Sequence, residues 1–374
     1  MFRAAFRAAF RAGGTAAGGR VRGHGRTVRH GPVRPPARSS RMRPRTLTVS
    51  AAPQGAPVTA DPLLPTLITR AEAAAHARPE PCPCGAPVTL AHRPDATVVR
   101  HAHTVAKAHA PRTDATGLAL RLTTAARLSG VLLPPLTRAP AVLHDRLVTF
   151  WPYGTPVDPN APDAAPWEAA ATLLARLHRS PAPPALPPMR GPAKAARAVA
   201  RLRATAPGHP AARAVLRAWA GLPAWARDEA PMPDSRTVCH GDLHLGQLVR
   251  HPAPDGPWQL IDVDDLGTGV PAWDLGRPAA WYACGLLAPE EWSRFLTAYR
   301  TAGGPAVPAE GDPWPALDVP ARALTVQTAA LAVAKATAAD RPLDETEQAV
   351  VDACDRMSGI PPEPAAGMPG EPAA

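Results

Sequence analysis

Apolar and polar positions change rhythm twice along this chain. Residues 1–60 hold few large apolar side chains after the first ten and are rich in Arg, Gly, Pro and Ala, so they lack the material of a core and read as a disordered extension. In ADPLLPTLITRAEAAAHA, Leu63, Leu64 and Leu67 fall on one side of a short helix. From Pro87 the texture becomes that of strands. PVTLAHRPDATVVRHAHTVAKAHA sets β-branched residues in short runs separated by turn formers such as Arg93-Pro94-Asp95, which predicts three consecutive strands. Asp114 then offers an N-cap, and leucines at 118, 122 and 128 predict a helix over 114–128. AVLHDRLVTFWPYGTPV (141–157) predicts one or two more strands running into a turn-rich segment. The order β, β, β, α, β, β describes a small antiparallel lobe over residues 61–157.

After residue 160 the period is helical. APWEAAATLLARLHRS (165–180) carries Leu173, Leu174 and Leu177 on a stripe, residues 191–229 read as one or two Ala/Arg helices broken within TAPGHPAA, and 289–302 and 320–356 hold the remaining helical runs. Residues 158–358 are thus expected to be a mainly helical lobe, and the Pro- and Gly-rich 359–374 a disordered tail. The expected fold class is α+β in two lobes.

A net charge of +10 would ordinarily suggest an anionic partner, but its distribution removes the suggestion from the body of the chain. Residues 1–60 carry 12 Arg and no acid, which leaves 29 basic against 31 acidic groups in residues 61–374. Nucleic-acid binding is therefore a reading for the Arg-rich first 45 residues alone, and their deletion would test it. The opening MFRAAFRAAFRAGG also has the look of a transit peptide or of an over-long start ahead of Met42; a disordered extension is the simpler reading. Five scattered cysteines point to reduced thiols and a cytoplasmic setting. Cys82-Pro-Cys84 with His92 nearby lacks the spacing of a zinc knuckle, so a metal is not expected there. No apolar run reaches the roughly 18 residues of a membrane span.

The chemistry sits between the helical blocks. RTVCHGDLHLGQLVR leads through HPAPDGP into WQLIDVDD, a short apolar strand interrupted by Asp262. A carboxylate in such a strand has to be paired, hydrogen-bonded or bound to a cation, because a bare buried charge is costly. A loop acid (Asp242), an amide (Gln247) and a strand acid (Asp262) would make a hard, oxygen-rich corner suited to Mg²⁺. Phosphoryl transfer calls for such a corner: a carboxylate that orients the acceptor, ligands for metal ions on the phosphates, and a lysine that steadies the nucleotide. Asp242 suits the first role, Gln247 and Asp262 the second. Only three lysines occur (Lys107, Lys194 and Lys335), and Lys107, in the third strand, suits the last role.

Through these residues the chain resembles the aminoglycoside phosphotransferase family, relatives of protein kinases, whose pattern is HGDxxxxN followed some fifteen residues later by an apolar-Ile-Asp strand. The matching residues are His240, Gly241, Asp242, Gln247 in place of Asn, Ile261 and Asp262, and the likeness continues through GTGVPAWDLGRPAAW (267–281). The HGDxHLGQ form also looks like that of maltokinases. The resemblance implies a protein-kinase-like fold, ATP with Mg²⁺ as cofactors, Asp242 as catalytic aspartate, Asp262 as metal ligand, Lys107 as the strand-three lysine, and a hinge over Thr149 to Tyr153, with Phe150, Trp151 and Tyr153, that holds adenine. It implies a small hydroxylated substrate: a sugar, an aminoglycoside or a similar metabolite.

Two departures keep a second reading open, a pseudokinase or nucleotide-binding regulatory module. Asp114 is the only acid between Lys107 and Asp145, where the family's helix carries a glutamate, and the first strand turn, HRPDAT, contains no glycine. His240 and Asp274 are expected to hold the loop, Trp273, Trp281 and Tyr282 to be core, and His244 to face either solvent or substrate. Asp264 and Asp265 are open between metal, substrate and loop roles.

Overall fold

The computed structural model of the protein describes residues 62–76, 82–233 and 236–357. The expected extension over 1–60 and tail over 359–374 lie outside the described residues.

Five strands form one antiparallel sheet: β1 (Val88–Arg93), β2 (Ala96–His101), β3 (Thr104–Ala108), β4 (Ala141–Leu143) and β5 (Arg146–Pro152), in the order β1-β2-β3-β5-β4. Pro94 and Asp95 alone connect β1 to β2, so the turn is tight without a glycine. Helix α1 (Leu63–Ala75) buries Leu63, Leu67 and Ala71 against Val99, Ala106 and Val148 on one face of this sheet. Leu64, grouped with them in the sequence pattern, is only partly buried at the edge of that cluster.

Helix α2 (Ala115–Arg127) starts at Asp114, whose carboxylate accepts from the amides of Thr116 at 3.1 Å and Gly117 at 2.9 Å. Its Leu118, Leu122 and Ala125 belong to the large core of the helical lobe. The segment after it is stitched to that lobe by backbone: Leu133 N–H donates to Leu260 O at 2.8 Å and Leu260 N–H to Val131 O at 2.9 Å.

The C-terminal lobe holds α3 (Trp167–Arg179), α4 (Gly191–Thr205), α5 (Ala212–Ala220), α6 (Ala272–Ala283), α7 (Pro289–Thr301), α8 (Trp314–Ala338) and α9 (Glu345–Met357). Two small sheets are built mainly from the segment between α5 and α6, with one strand from ahead of α3. β7 (Thr237–Cys239) pairs with β10 (Gly267–Gly269), and β8 (Leu248–Arg250) pairs with both β6 (Thr155–Pro156) and β9 (Trp258–Leu260). The sequence pattern anticipates α3, α4, α5 and α7. It misplaces two elements for one reason, an internal proline. Pro278 lies within α6, which the pattern did not mark as a helix, and Pro320 lies within α8, which begins six residues before its expected start. Proline sacrifices one hydrogen bond and kinks a helix, a cost tertiary packing offsets here: both prolines are buried, α6 packs along α8, and Pro320 lies against Gly276 of α6. The run expected over 320–356 is in fact two helices, α8 and α9.

Candidate active site

Direct cross-strand partners share a face of an antiparallel sheet. Lys107 pairs with Thr149 and Val105 with Trp151, so these four side chains share one face, while Phe150 turns to the other and packs with the cluster under α1. Of the expected hinge side chains, Trp151 thus stands on the Lys107 side, where its indole N–H donates to Thr149 Oγ1 at 2.9 Å, and Phe150 does not. Tyr153 lies where the chain crosses between lobes. Its amide donates to His103 O at 2.7 Å, and the Arg100 guanidinium sits 3.4 Å above its ring.

Lys107 reaches across to the other lobe. Its Nζ lies 2.7 Å from Asp262 Oδ1 and 3.1 Å from Asp264 Oδ2, and His109 Nδ1 approaches Asp264 Oδ1 at 3.0 Å. Burial disfavours the lysine's charge, but the two carboxylates outweigh it and hold Lys107 above the ordinary lysine range. The same contacts, set against burial, hold Asp262 below and Asp264 well below the usual carboxylate range. Asp114, the one acid the sequence offered as a helix partner for Lys107, is committed to capping α2; Asp264 takes the place beside the lysine. From α2 it is Arg121, buried, that faces this loop, its Nε donating to Leu266 O at 2.7 Å.

Asp262 adopts a left-handed backbone with φ 67°, which starts the short turn Val263–Asp265 and turns Asp264 and Asp265 in different directions. Asp264 meets Lys107, while Asp265 meets Lys194 of α4, whose Nζ is 3.0 Å from Asp265 Oδ2. The Lys194 ammonium also donates to Asp242 Oδ2, and Arg277 of α6 donates to Asp242 Oδ1 at 2.9 Å. Burial pushes the Asp242 carboxyl up; Lys194 and Arg277 outweigh it and hold the group well below the usual range. Neither cation was singled out by the sequence reading. The rarity of lysine was the available signal for Lys194, and its position 48 residues before Asp242 concealed it.

The loop bearing Asp242 is held from beneath. Asp274 accepts from the amides of His240 at 2.6 Å and Gly241 at 2.8 Å and from His178 Nε2 at 3.0 Å. His240 Nε2 donates to Ile261 O at 2.8 Å, fastening this loop to the residue before Asp262. Both residues thus hold the loop as expected. Gly241 has φ +83°, and a Cβ there would lie 2.4 Å from Asp265 O, so the middle of the triplet admits no side chain.

His244 is buried, against the solvent-facing alternative: its Nδ1 accepts the Gly246 amide at 3.1 Å and its Nε2 lies 3.9 Å from Asp242 Oδ2. Burial pushes the imidazole down to about 4. Gln247 is buried in the next turn, and its backbone carbonyl accepts from Ile261 N–H at 2.9 Å, which places it beside the residue before Asp262; Asp262 itself, expected within a strand, follows the end of β9 at Leu260. Trp273 and Trp281 are core, as expected, and Tyr282 stacks on Trp292 and Trp314.

The model of the phosphotransferase enzyme family matches residues 88–314, and the chain belongs to that family. No curated protein matches its sequence. Among solved structures, a thermostable mutant of an aminoglycoside phosphotransferase in its apo form aligns with a TM-score of 0.50 at 12% identity, over 74% of this chain and 95% of that one. A choline/ethanolamine kinase family protein from Mesorhizobium loti aligns with a TM-score of 0.46 at 18% identity, over 79% and 96% of the two chains. A macrolide 2′-phosphotransferase from Brachybacterium faecium gives 0.45 at 18%, over 80% and 100%. The fold is the two-lobed, protein-kinase-like α+β arrangement, and the family makes this chain a phosphotransferase of the small-molecule kinase type.

Proposed function

We propose that the protein is an ATP-dependent kinase whose acceptor is a hydroxyl on a sugar or similar metabolite. The observation that carries this reading is the meeting of Lys107, from the sheet, with Asp262 and Asp264 of the opposite lobe, next to the Asp242 loop. Lys107 would bind the nucleotide's phosphates, with Trp151 and Tyr153 at the adenine side; Phe150 would contribute backbone only, given where its side chain packs. Asp242 would orient the acceptor hydroxyl and take its proton as the oxygen bonds to the γ-phosphorus and the bond to the β,γ-bridging oxygen breaks.

Asp262 and Gln247 fit a magnesium ion by donor chemistry. Both offer oxygen, and the polar contacts of the Asp262 carboxylate among the described residues fall on Oδ1, which leaves Oδ2 for a cation. Bound magnesium would supply neutralisation of phosphate charge. We take residues 61–157 as the nucleotide lobe and 158–358 as the catalytic and substrate lobe of a cytoplasmic enzyme.

The surroundings of Asp242 bear on the acceptor. Lys194 and Arg277 touch it, and Arg190 Nε lies 3.8 Å from Asp265 Oδ1, so the acids here are already matched by cations and offer an ammonium group little uncompensated negative charge. A neutral sugar or an anionic hydroxylated metabolite suits that field better than a polycationic aminoglycoside. Acids near the C-terminus do not alter this balance: α9 packs on α5 and α8, with Glu347 paired to Arg341 and Asp355 to Arg217.

One observation favours the pseudokinase alternative, since both Asp242 oxygens already carry a cation. Mg²⁺-dependent ATP turnover over a panel of neutral sugars, hydroxy acids, sugar phosphates and aminoglycosides separates the two readings. Acceptor-stimulated turnover abolished by Asp242→Ala is expected. ATP binding without Asp242-dependent turnover on any acceptor would transfer the case to the pseudokinase.

A further inference from the structure

Far along the chain from the Asp242 motif, four soft donor groups from three chain segments converge on one point. His76 directly follows α1, Cys82 and Cys84 lie in the turn ahead of β1, and His101 closes β2. One ligand atom from each lies within 4.8 Å of every other. His76 Nε2 and Cys82 Sγ stand 3.1 and 3.0 Å from His101 Nε2. The two imidazole planes are nearly perpendicular, at 78°. His92, the histidine nearest these cysteines in sequence, is not among them; its Nδ1 is instead 3.4 Å from Thr97 Oγ1.

Hydrogen bonding alone serves this arrangement poorly. The single in-plane lone pair of His101 Nε2 faces two neighbours at bonding distance, and one lone pair accepts one good hydrogen bond. A cation at the centre would use the lone pairs of all four atoms at once. Zinc–sulfur bonds of about 2.3 Å and zinc–nitrogen bonds of about 2.0 Å in a tetrahedron set ligand atoms roughly 3.3–3.8 Å apart, a few tenths of an ångström beyond the closest separations here. Two thiolates with two imidazoles are a donor set that selects zinc over hard cations such as magnesium. His101 is buried at 3% exposure, while His76 and Cys82 are half-buried and Cys84 is exposed, so the point is anchored in the sheet and open to metal entry on one side.

We propose that His76, Cys82, Cys84 and His101 form a tetrahedral zinc site that fastens the end of α1 and the turn before β1 to strand β2. Zinc binding to the reduced chain would release the two thiol protons, one from each cysteine, so affinity rises with pH. The site would add to the attachment that α1 otherwise has through Leu63, Leu67 and Ala71.

The test uses the full, untagged chain, purified with reduced thiols and without chelator. Elemental analysis should find about one zinc per chain, lost on dialysis from Cys82→Ser and from Cys84→Ser and retained by Cys284→Ser, whose thiol lies in the other lobe. Because a cysteine variant could fold poorly, a second measurement uses the wild type alone: cobalt added to zinc-stripped, reduced protein should give the visible bands of a tetrahedral ion with thiolate charge transfer, abolished by one equivalent of zinc. Two results would overturn the proposal. One is a folded wild type that holds no zinc and gives no cobalt–thiolate spectrum; the other is zinc retained unchanged by both Cys82→Ser and Cys84→Ser.

Discussion

Asp242 and Asp262 lie close together in the same cleft and are held in different ways. Asp242 receives its cations from within its own lobe, Lys194 on α4 and Arg277 on α6, while Asp262 receives Lys107 from the other lobe. The first arrangement survives any relative movement of the lobes; the second is made or broken by it. One acid is therefore set by the helical scaffold and the other by how far the cleft has closed.

The largest expected effect that sharpens this contrast is on turnover. Asp242→Asn keeps the shape of the carboxylate but cannot take a proton, and should lower kcat by about 10²–10⁴-fold, the usual worth of a general base, while the melting temperature also falls because Lys194 and Arg277 lose their shared anion. Steady-state kinetics beside a thermal melt checks both halves.

Next comes the bridge between lobes. Lys107→Met should raise the KM for ATP and, by leaving Asp262 and Asp264 without their cation, cost about 1–3 kcal/mol of stability, below the roughly 3–5 kcal/mol of a fully buried pair because both acids are about a third exposed. Adding Asp264→Asn should restore part of the stability and none of the activity. Urea unfolding of the single and double variants reads this, and a double variant no more stable than the single would break the comparison.

Lys194→Met should cost stability as well, since it leaves the buried Asp242 and Asp265 short of a cation, but its distinguishing effect is on pH dependence. The Asp242 carboxyl is held low in part by Lys194, so without it the group protonates at higher pH and the acidic limb of the kcat profile should move up, while Arg277 still holds the other oxygen. An acidic limb that stays in place would show that Arg277 alone sets the charge of Asp242.

The smallest effect belongs to His244. With its folded value near 4 against about 6.5 unfolded, only the unfolded chain takes up this proton as pH falls from about 6.5 to 4, so His244 costs stability over that window and nothing above it. His244→Asn should flatten this part of the stability curve, as measured by denaturant midpoints at pH 7 and pH 5.

What the sequence made legible follows from how local each signal is. Asp114 caps the helix it precedes, and β1 to β5 follow from short β-branched runs with a turn between them. Asp242, Gln247 and Asp262 could be found because one loop and one hairpin carry them within about twenty residues. Lys194 and Arg277 reach the same carboxylate from helices whose Ala- and Arg-rich texture gives no hint of a destination. Pro278 pointed away from a helix that packing against α8 maintains. The donors around His101 illustrate the same limit: Cys82 was set beside His92, its neighbour along the chain, whereas the strand brings His101 to it.

Tyr153 gives the protein a built-in observer. It is one of three tyrosines, and the other two, Tyr282 and Tyr299, are packed among aromatic or buried partners in the helical lobe. Its ring lies under the Arg100 guanidinium, its amide is tied to the β2–β3 turn and its carbonyl lies 3.1 Å from His251 Nδ1, so the crossing between lobes carries a single phenol with a contact on each side. Selective isotope labelling of tyrosine would give a three-signal spectrum in which one resonance alone reports on whether the cleft is open or shut.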